Sequence, residues 1–196
     1  MIKGIVFDKD GTLFEGGVFW PESIVIAETV EIIADALLEH LPDVAKPDLM
    51  NRMRSTAKKV PQVEAAPPWP LLHQIKEMGI QIGVATNDAE DPARAHLGTA
   101  DVLDLFDFIA GYDSGYGAKP EPGQLLGFCS STGLEPEECL MVGDSTHDLT
   151  AGIAAGMKTI GVLTGPAQAY ELLPYADVIL NSIAELPDWL VQHNRG

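Results

Sequence analysis

Cysteine is scarce: Cys129 and Cys139 are the only two among 196 residues. They lack CxxC spacing, so neither a disulfide framework nor a zinc site is expected, only two reduced, buried thiols. Basic residues are few as well, 12 Lys and Arg against 29 Asp and Glu, for a formal net charge of −17. A surface of that sign repels phosphate backbones and anionic headgroups, which argues against a nucleic-acid or membrane partner and leaves room only for a local basic pocket. No run of about 18 apolar residues exists, so no membrane-spanning helix is expected. The opening MIKGIVFDKD turns acidic too soon for a secretory signal. Together these absences predict a soluble, cytoplasmic protein, with no signal for any oligomeric state. Internal repeats and low-complexity tracts are also missing.

What is present fits one globular domain carrying an insertion: 46% of the residues are hydrophobic. Short apolar runs at 2–7, 80–85, 106–110, 140–142, 159–163 and 177–180 alternate with helical patterns near 69–78, 91–104, 121–132, 146–156, 166–173 and 183–193. Gly79, Gly111, Pro120, Gly133, Gly143, Gly156, Pro166 and Pro187 punctuate the joins. That alternation predicts an α/β fold, a parallel sheet with helices on both faces.

One segment breaks the pattern. Between the first two strands lie about 70 residues without a convincing strand, where a simple crossover needs only about a dozen or more. Residues 22–41 read as an amphipathic helix, with Glu28, Glu31, Asp35 and Glu39 on one face and Ile26, Val30, Ile33, Leu37 and Leu41 opposite. After Pro42 and Pro47 a second, polar helix is expected from about 47 to 59, and the four prolines of 61–70 read as a linker. The division is therefore 1–14 plus 70–196 as the α/β core, with 15–69 as a small helical insert. Phe19, Trp20 and Trp69 flank the insert, as hinge or as plain core packing.

The chemistry gathers at strand ends. The first strand runs into Asp8-Lys9-Asp10-Gly11-Thr12. Carboxylates at i and i+2 of an extended chain point to one side, and ligands of open α/β sheets bind at the carboxyl ends of the strands. Two neighbouring carboxylates repel unless a cation joins them or one keeps a proton. A second acidic pair, Asp144 and Asp148 in Gly143-Asp144-Ser145-Thr146-His147-Asp148, follows the strand 140–142. Four carboxylates at two strand ends would make a hard, oxygen-rich site suited to Mg²⁺. Thr86 and Asn87, after the second strand, can cradle a phosphate or simply cap a helix. Lys119 in Gly117-Ala118-Lys119-Pro120 can neutralise the carboxylates and grip phosphate.

In this order the four pieces resemble the haloacid dehalogenase superfamily, whose phosphatases share DxDGT, then Thr or Ser, then Lys, then GDxxxD. The resemblance spans the α/β portion and is nearest to the phosphoglycolate phosphatase-like branch. It implies a three-layer Rossmann-like core with a helical cap after the first motif, although the insert here is shorter than that branch leads one to expect. It also implies roles. Asp8 would be the nucleophile that forms an aspartyl-phosphate, and Asp10 the general acid and base. Mg²⁺ would be held by Asp8, the Asp10 carbonyl, Asp144 and Asp148, the last directly, through water, or by orienting Lys119. Thr86, Asn87 and Lys119 would bind the phosphoryl group. Asp10 favours phosphate esters over carbon–halogen bonds, because a halide leaving group needs no acid. The implied activity is hydrolysis of a small phosphorylated metabolite. A phosphomutase of the same superfamily and a non-catalytic phosphate-binding protein are the alternatives. Lys46, Arg52, Arg54, Lys58 and Lys59 give the insert a basic stretch that either faces the substrate or forms a solvated helix face.

Overall fold

The computed structural model describes residues 1–15, 28–41 and 43–194. Six strands form one parallel sheet: β1 (Gly4–Phe7), β2 (Gln81–Ala85), β3 (Phe108–Ala110), β4 (Cys139–Gly143), β5 (Lys158–Val162) and β6 (Val178–Leu180). Their spatial order is β3-β2-β1-β4-β5-β6. The chain leaves β1 toward β2 and β3 on one side, then returns to β4 and proceeds to β5 and β6 on the other. The strand order therefore reverses between β1 and β4, the point at which open α/β sheets form a crevice beyond their carboxyl ends.

Side chains of the central strands alternate between two apolar layers, as a strand's period of two requires. Ile5, Phe7, Ile82, Val84, Leu140 and Val142 join one core with Leu72 and Ile75 of α3 (Pro68–Glu77), Leu97 of α4 (Glu90–Thr99) and Leu190 of α8 (Leu186–His193), which follows the short α7 (Ala169–Leu172). Val6 and Met141 face the other core, with Leu125 and Phe128 of α5 (Gly123–Thr132) and Ala151 of α6 (Thr146–Ala155). This is the three-layer α/β arrangement, with buried strands reading as near-continuous apolar runs. Phe128 lies so close to β1 and β2 that an added Cβ at Gly4 or Gly83 would stand 2.8 or 2.7 Å from its ring. Those two strands must be bare there for the ring to fit.

The insert supplies α1 (Val30–Leu38) and α2 (Lys46–Ala57) between β1 and α3. Of the helix expected at 22–41, residues 22–27 lie outside the described residues, as do Phe19, Trp20 and Pro42. Within α1, Ala34 is buried while Ile33 and Leu37 are only half-covered. The two ends of the insert run side by side: Phe14 bridges Glu64 in antiparallel fashion, Glu15 N–H donates to the Val63 carbonyl at 2.7 Å, and Ala65 N–H donates to that of Leu13 at 3.1 Å.

Three expectations need adjustment. The proline stretch 61–70 is not all linker, because Pro68 opens α3, where a missing N–H costs nothing. The expected helix 91–104 is broken: Asp101 takes a left-handed φ of 56°, and a separate 3-10 turn follows at Leu103–Leu105. Pro187 does not separate elements but sits in the first turn of α8. No described helix is long and apolar enough to cross a membrane.

Replacing Phe128 by Ala is expected to destabilise the protein by about 3–5 kcal/mol in urea unfolding. Gly83→Ala should cost clearly less in that background than in the wild type. Equal costs in the two backgrounds would show that the ring does not dictate the glycine.

Candidate active site

Asp8 follows β1 directly, with its N–H on the Val142 carbonyl of β4 at 2.9 Å, and thus sits at the crevice between β1 and β4. Lys119 reaches it from the loop before α5. The Lys119 ammonium contacts Asp8 Oδ1 at 2.5 Å, Asp148 Oδ1 at 2.6 Å and the Ala85 carbonyl at the end of β2 at 2.7 Å. An ammonium has three hydrogens, and each has an acceptor here. Asp148 is in the first turn of α6, where Ser145 and Asp148 form a reciprocal capping box. Its second oxygen, Oδ2, accepts from Ser145 N–H at 3.0 Å and from the Ser145 hydroxyl at 2.6 Å. Asp144, at the end of β4, accepts from the Thr12 hydroxyl at 3.2 Å. Gly11 turns the chain with φ +87° directly over the Asp144 carboxylate, so a side chain there would meet both strain and the carboxylate.

Asp8, Asp144 and Asp148 are all buried, and each offers an oxygen within 4.8 Å of the others. Their charges outnumber the one ammonium among them. Burial, countered by Lys119 and reinforced by Asp148 and Asp10, pushes the Asp8 carboxyl up to about 7. Asp144 is also held well above the ordinary carboxylate range, by burial and then by Asp8 and Asp148. Burial alone would lower the Lys119 ammonium, but Asp148 and Asp8 reverse this and raise it. A site with surplus buried negative charge and only hard oxygen donors fits a divalent cation.

The expected four-carboxylate cluster is a cluster of three among the described residues. Asp10 is turned onto Lys9, whose ammonium lies 2.5 Å from both of its oxygens. A fully buried lysine needs a counter-charge, and the neighbouring carboxylate supplies it. Thr86 lies at the end of β2, with its hydroxyl accepting the Asp88 N–H at 3.0 Å and its own proton available to donate. The Asn87 side chain is applied to Lys119: its amide donates to the Lys119 carbonyl and its oxygen accepts the Lys119 N–H, both at 2.9 Å. It therefore braces the loop that presents the ammonium.

Of the five basic residues in the insert, two face the core. Arg54 donates to the Tyr112 hydroxyl from both Nε and Nη2 and has its guanidinium 5.6 Å from that ring's centre. Lys58 pairs with Asp91 at 2.7 Å. Both line a cleft of about 530 Å³ between α2 and the start of α4, shared with Glu90, Asp91 and Asp113. Lys46 pairs with Asp35 inside the insert, while Arg52 and Lys59 are exposed. The free thiols Cys129 and Cys139 are buried 3.9 Å apart, remote in role from these groups.

The model of the haloacid dehalogenase-like hydrolases matches residues 2–156. The chain belongs to that family. The haloacid dehalogenase-like reading also fits proteins of similar length. A phosphoglycolate phosphatase of Aquifex aeolicus is 27% identical over 215 residues, covering 98% of each chain. A validoxylamine A 7′-phosphate phosphatase of Streptomyces hygroscopicus subsp. limoneus is 26% identical over 211 residues, covering 95% of this chain and 96% of that one. Among solved structures, CbbY of Rhodobacter sphaeroides in complex with phosphate shares the fold with a TM-score of 0.76 at 24% identity, covering 95% and 96%. This family member is an enzyme, a hydrolase of the phosphatase kind.

Lys9, Thr12 and Ser145 were not singled out by sequence. Ser145-x-x-Asp148 carried a legible signal, the capping box, whereas Thr12 follows a turn whose shape depends on Gly11. In a chelator-containing buffer Asp8 and Asp144 hold their protons more tightly when folded than when unfolded. Stability from these two carboxyls is therefore lost as pH rises above the ordinary carboxylate range, for Asp8 up to about 7. Asp144→Asn, which keeps the acceptor for Thr12, should gain on the wild type in urea unfolding as pH rises through that window. A variant that falls further behind with rising pH would contradict the surplus of buried charge.

Proposed function

We propose that the chain is a Mg²⁺-dependent phosphomonoesterase that hydrolyses a small phosphorylated metabolite through an aspartyl-phosphate on Asp8. The observation that carries this reading is the Asp8 carboxylate, buried at the switch point with Lys119 at 2.5 Å and two more carboxylates within reach of one ion. A nucleophilic carboxylate in such a place splits a hard hydrolysis into two easier steps.

In the first step an Asp8 oxygen bonds to phosphorus while the P–O bond to the leaving alcohol breaks. The departing oxygen takes the electron pair and a proton from the Asp10 carboxyl. In the second, Asp10 takes a proton from water, the water oxygen bonds to phosphorus, and the Asp8 O–P bond breaks with its electron pair returning to the Asp8 carboxylate, which frees phosphate. Lys119 neutralises charge shared by Asp8 and the phosphoryl oxygens. The Thr86 hydroxyl donates to a phosphoryl oxygen, and Asn87 serves that site by fixing Lys119. Mg²⁺ would be held by Asp8, Asp144, Asp148 and the Asp10 carbonyl, and when bound supplies the positive charge that offsets carboxylates and phosphoryl oxygens together. Positioning and electrostatics carry most of the catalysis in phosphoryl transfer.

Residues 15–69 act in this reading as the cap over a core formed by 1–14 and 70–196, and the cleft beside Arg54 receives the part of the substrate beyond its phosphate. The relatives named for phosphoglycolate and for validoxylamine A 7′-phosphate support a phosphorylated organic metabolite. A cytoplasmic location and the absence of nucleic-acid or membrane partners fit the strongly acidic composition.

The test is a panel of about a hundred phosphorylated metabolites with Mg²⁺, read by phosphate release. At least one ester should turn over at an ordinary enzyme rate, on the order of 1–10³ s⁻¹. Activity should vanish on chelation, and Asp8→Asn should abolish turnover while remaining folded. Isomerised substrate without net phosphate release would point to a phosphomutase. No turnover across the panel would point to a binding protein.

A further inference from the structure

Lys9 lies between the two aspartates of the first motif and is fully buried. Its side chain runs inward to Asp10 and to His96 of α4. Its ammonium meets three acceptors. Asp10 is 2.5 Å away, Asp88 Oδ2 lies at 3.1 Å, and His96 Nδ1 lies at 3.4 Å. Three hydrogens and three acceptor groups leave the ammonium no freedom to turn. Asp10 and Asp88 are each about 40% exposed in their side chains, so Lys9 anchors two half-exposed carboxylates from the buried side.

His96, from α4, extends this contact to the insert. Its other ring nitrogen, Nε2, is 2.8 Å from the carbonyl of Ala57, the last residue of α2. A carbonyl only accepts and an ammonium only donates. The tautomer with hydrogen on Nε2 therefore satisfies both neighbours at once, donating to Ala57 and accepting from Lys9. A continuous polar chain thus runs from the end of the insert's second helix, through His96 and Lys9, to the carboxylate of Asp10.

We propose that Lys9 is a positioning residue for Asp10, and that His96 makes this positioning depend on the docking of the insert against the core. The inference rests on the phosphatase reading, in which Asp10 protonates the leaving group. With the insert docked, the Ala57 carbonyl orients His96, His96 and Asp88 orient Lys9, and Lys9 fixes the direction in which Asp10 presents its oxygens. Reaction geometry is steep in distance, so a shift of about 1 Å in a catalytic group costs on the order of 10²-fold. The coupling is felt most with an alkyl leaving group, which needs its proton from Asp10, and least with p-nitrophenolate, which leaves without one.

kcat/KM reports only the steps up to formation of the aspartyl-phosphate, so it isolates the acid role of Asp10 from its later role as base. The experiment measures it for the best alkyl ester from the metabolite panel and for p-nitrophenyl phosphate. Lys9→Met should lower the alkyl value by about 10- to 100-fold and the aryl value by less than about threefold. In an Asp10→Asn background the same substitution should add less than about twofold, because residues acting through one group are non-additive. His96→Phe, which keeps the ring but loses both contacts, should raise the aryl-to-alkyl ratio at least about threefold, and it carries the test if Lys9→Met does not fold. Equal losses on both esters, an unshifted ratio in His96→Phe, or multiplying losses of Lys9→Met and Asp10→Asn would overturn the inference while leaving the phosphatase reading intact. A wild type inactive on both esters would overturn the phosphatase reading itself, and the inference with it.

Discussion

A buried ammonium is tolerable only when each of its hydrogens has an acceptor and its charge has a partner. Much of the site's architecture follows from meeting that condition at Lys119. Asp8 must end β1, Asp148 must open α6, and the Ala85 carbonyl must end β2, so one side chain fixes the relative heights of three elements around the switch point. The Asn87 side chain, bonded to both backbone groups of Lys119, holds the fourth. The sheet brings these groups near one another, and the ammonium sets their final spacing.

The same condition recurs at Lys9 with different consequences. There the acceptors are half-exposed carboxylates and a histidine, and the set includes Asp10, the acid and base of the proposed mechanism. Two lysines of an acidic chain thus organise opposite sides of one motif: Lys119 pairs with Asp8, and Lys9 with its neighbour two residues on. The net charge of −17 is largely irrelevant to the crevice, where these two cations and a bound metal would set the field.

The alternation of apolar runs and helical patterns made the parallel sheet legible, because buried central strands such as Gly4–Phe7 leave an unbroken apolar signature. The residues around Asp8, Thr86 and Asp144 were legible for a related reason, since strand ends are where the chain turns polar abruptly, whereas Lys119 was legible from its place before a helix and in the order of the motifs. Side-chain direction was not. Spacing placed Asp10 beside Asp8, but its orientation is decided by an ion pair with Lys9, and that lysine's burial depends on α4 and the insert, elements far away in sequence. Asn87 likewise carried the signature of a phosphate cradle, yet its geometry is set by a loop 32 residues further on. The break at Asp101 carries no glycine to mark it, because aspartate is one of the few other residues that accept a left-handed backbone.

The paired ends of the insert, joined at Phe14 and Glu64, have a consequence for how such an enzyme can change over evolutionary time. Seen from the sheet, everything between those residues is a single closed loop whose two ends are already fastened together. The entropic cost of enlarging such a loop grows only with the logarithm of its length, about 0.6 kcal/mol for each doubling. Lengthening or shortening the insert between those ends therefore costs the core little through loop closure. In the proposed function the part of the molecule that meets the variable end of a substrate is the part whose length the fold constrains least, so specificity can drift there as long as the contact of Ala57 with His96 is kept.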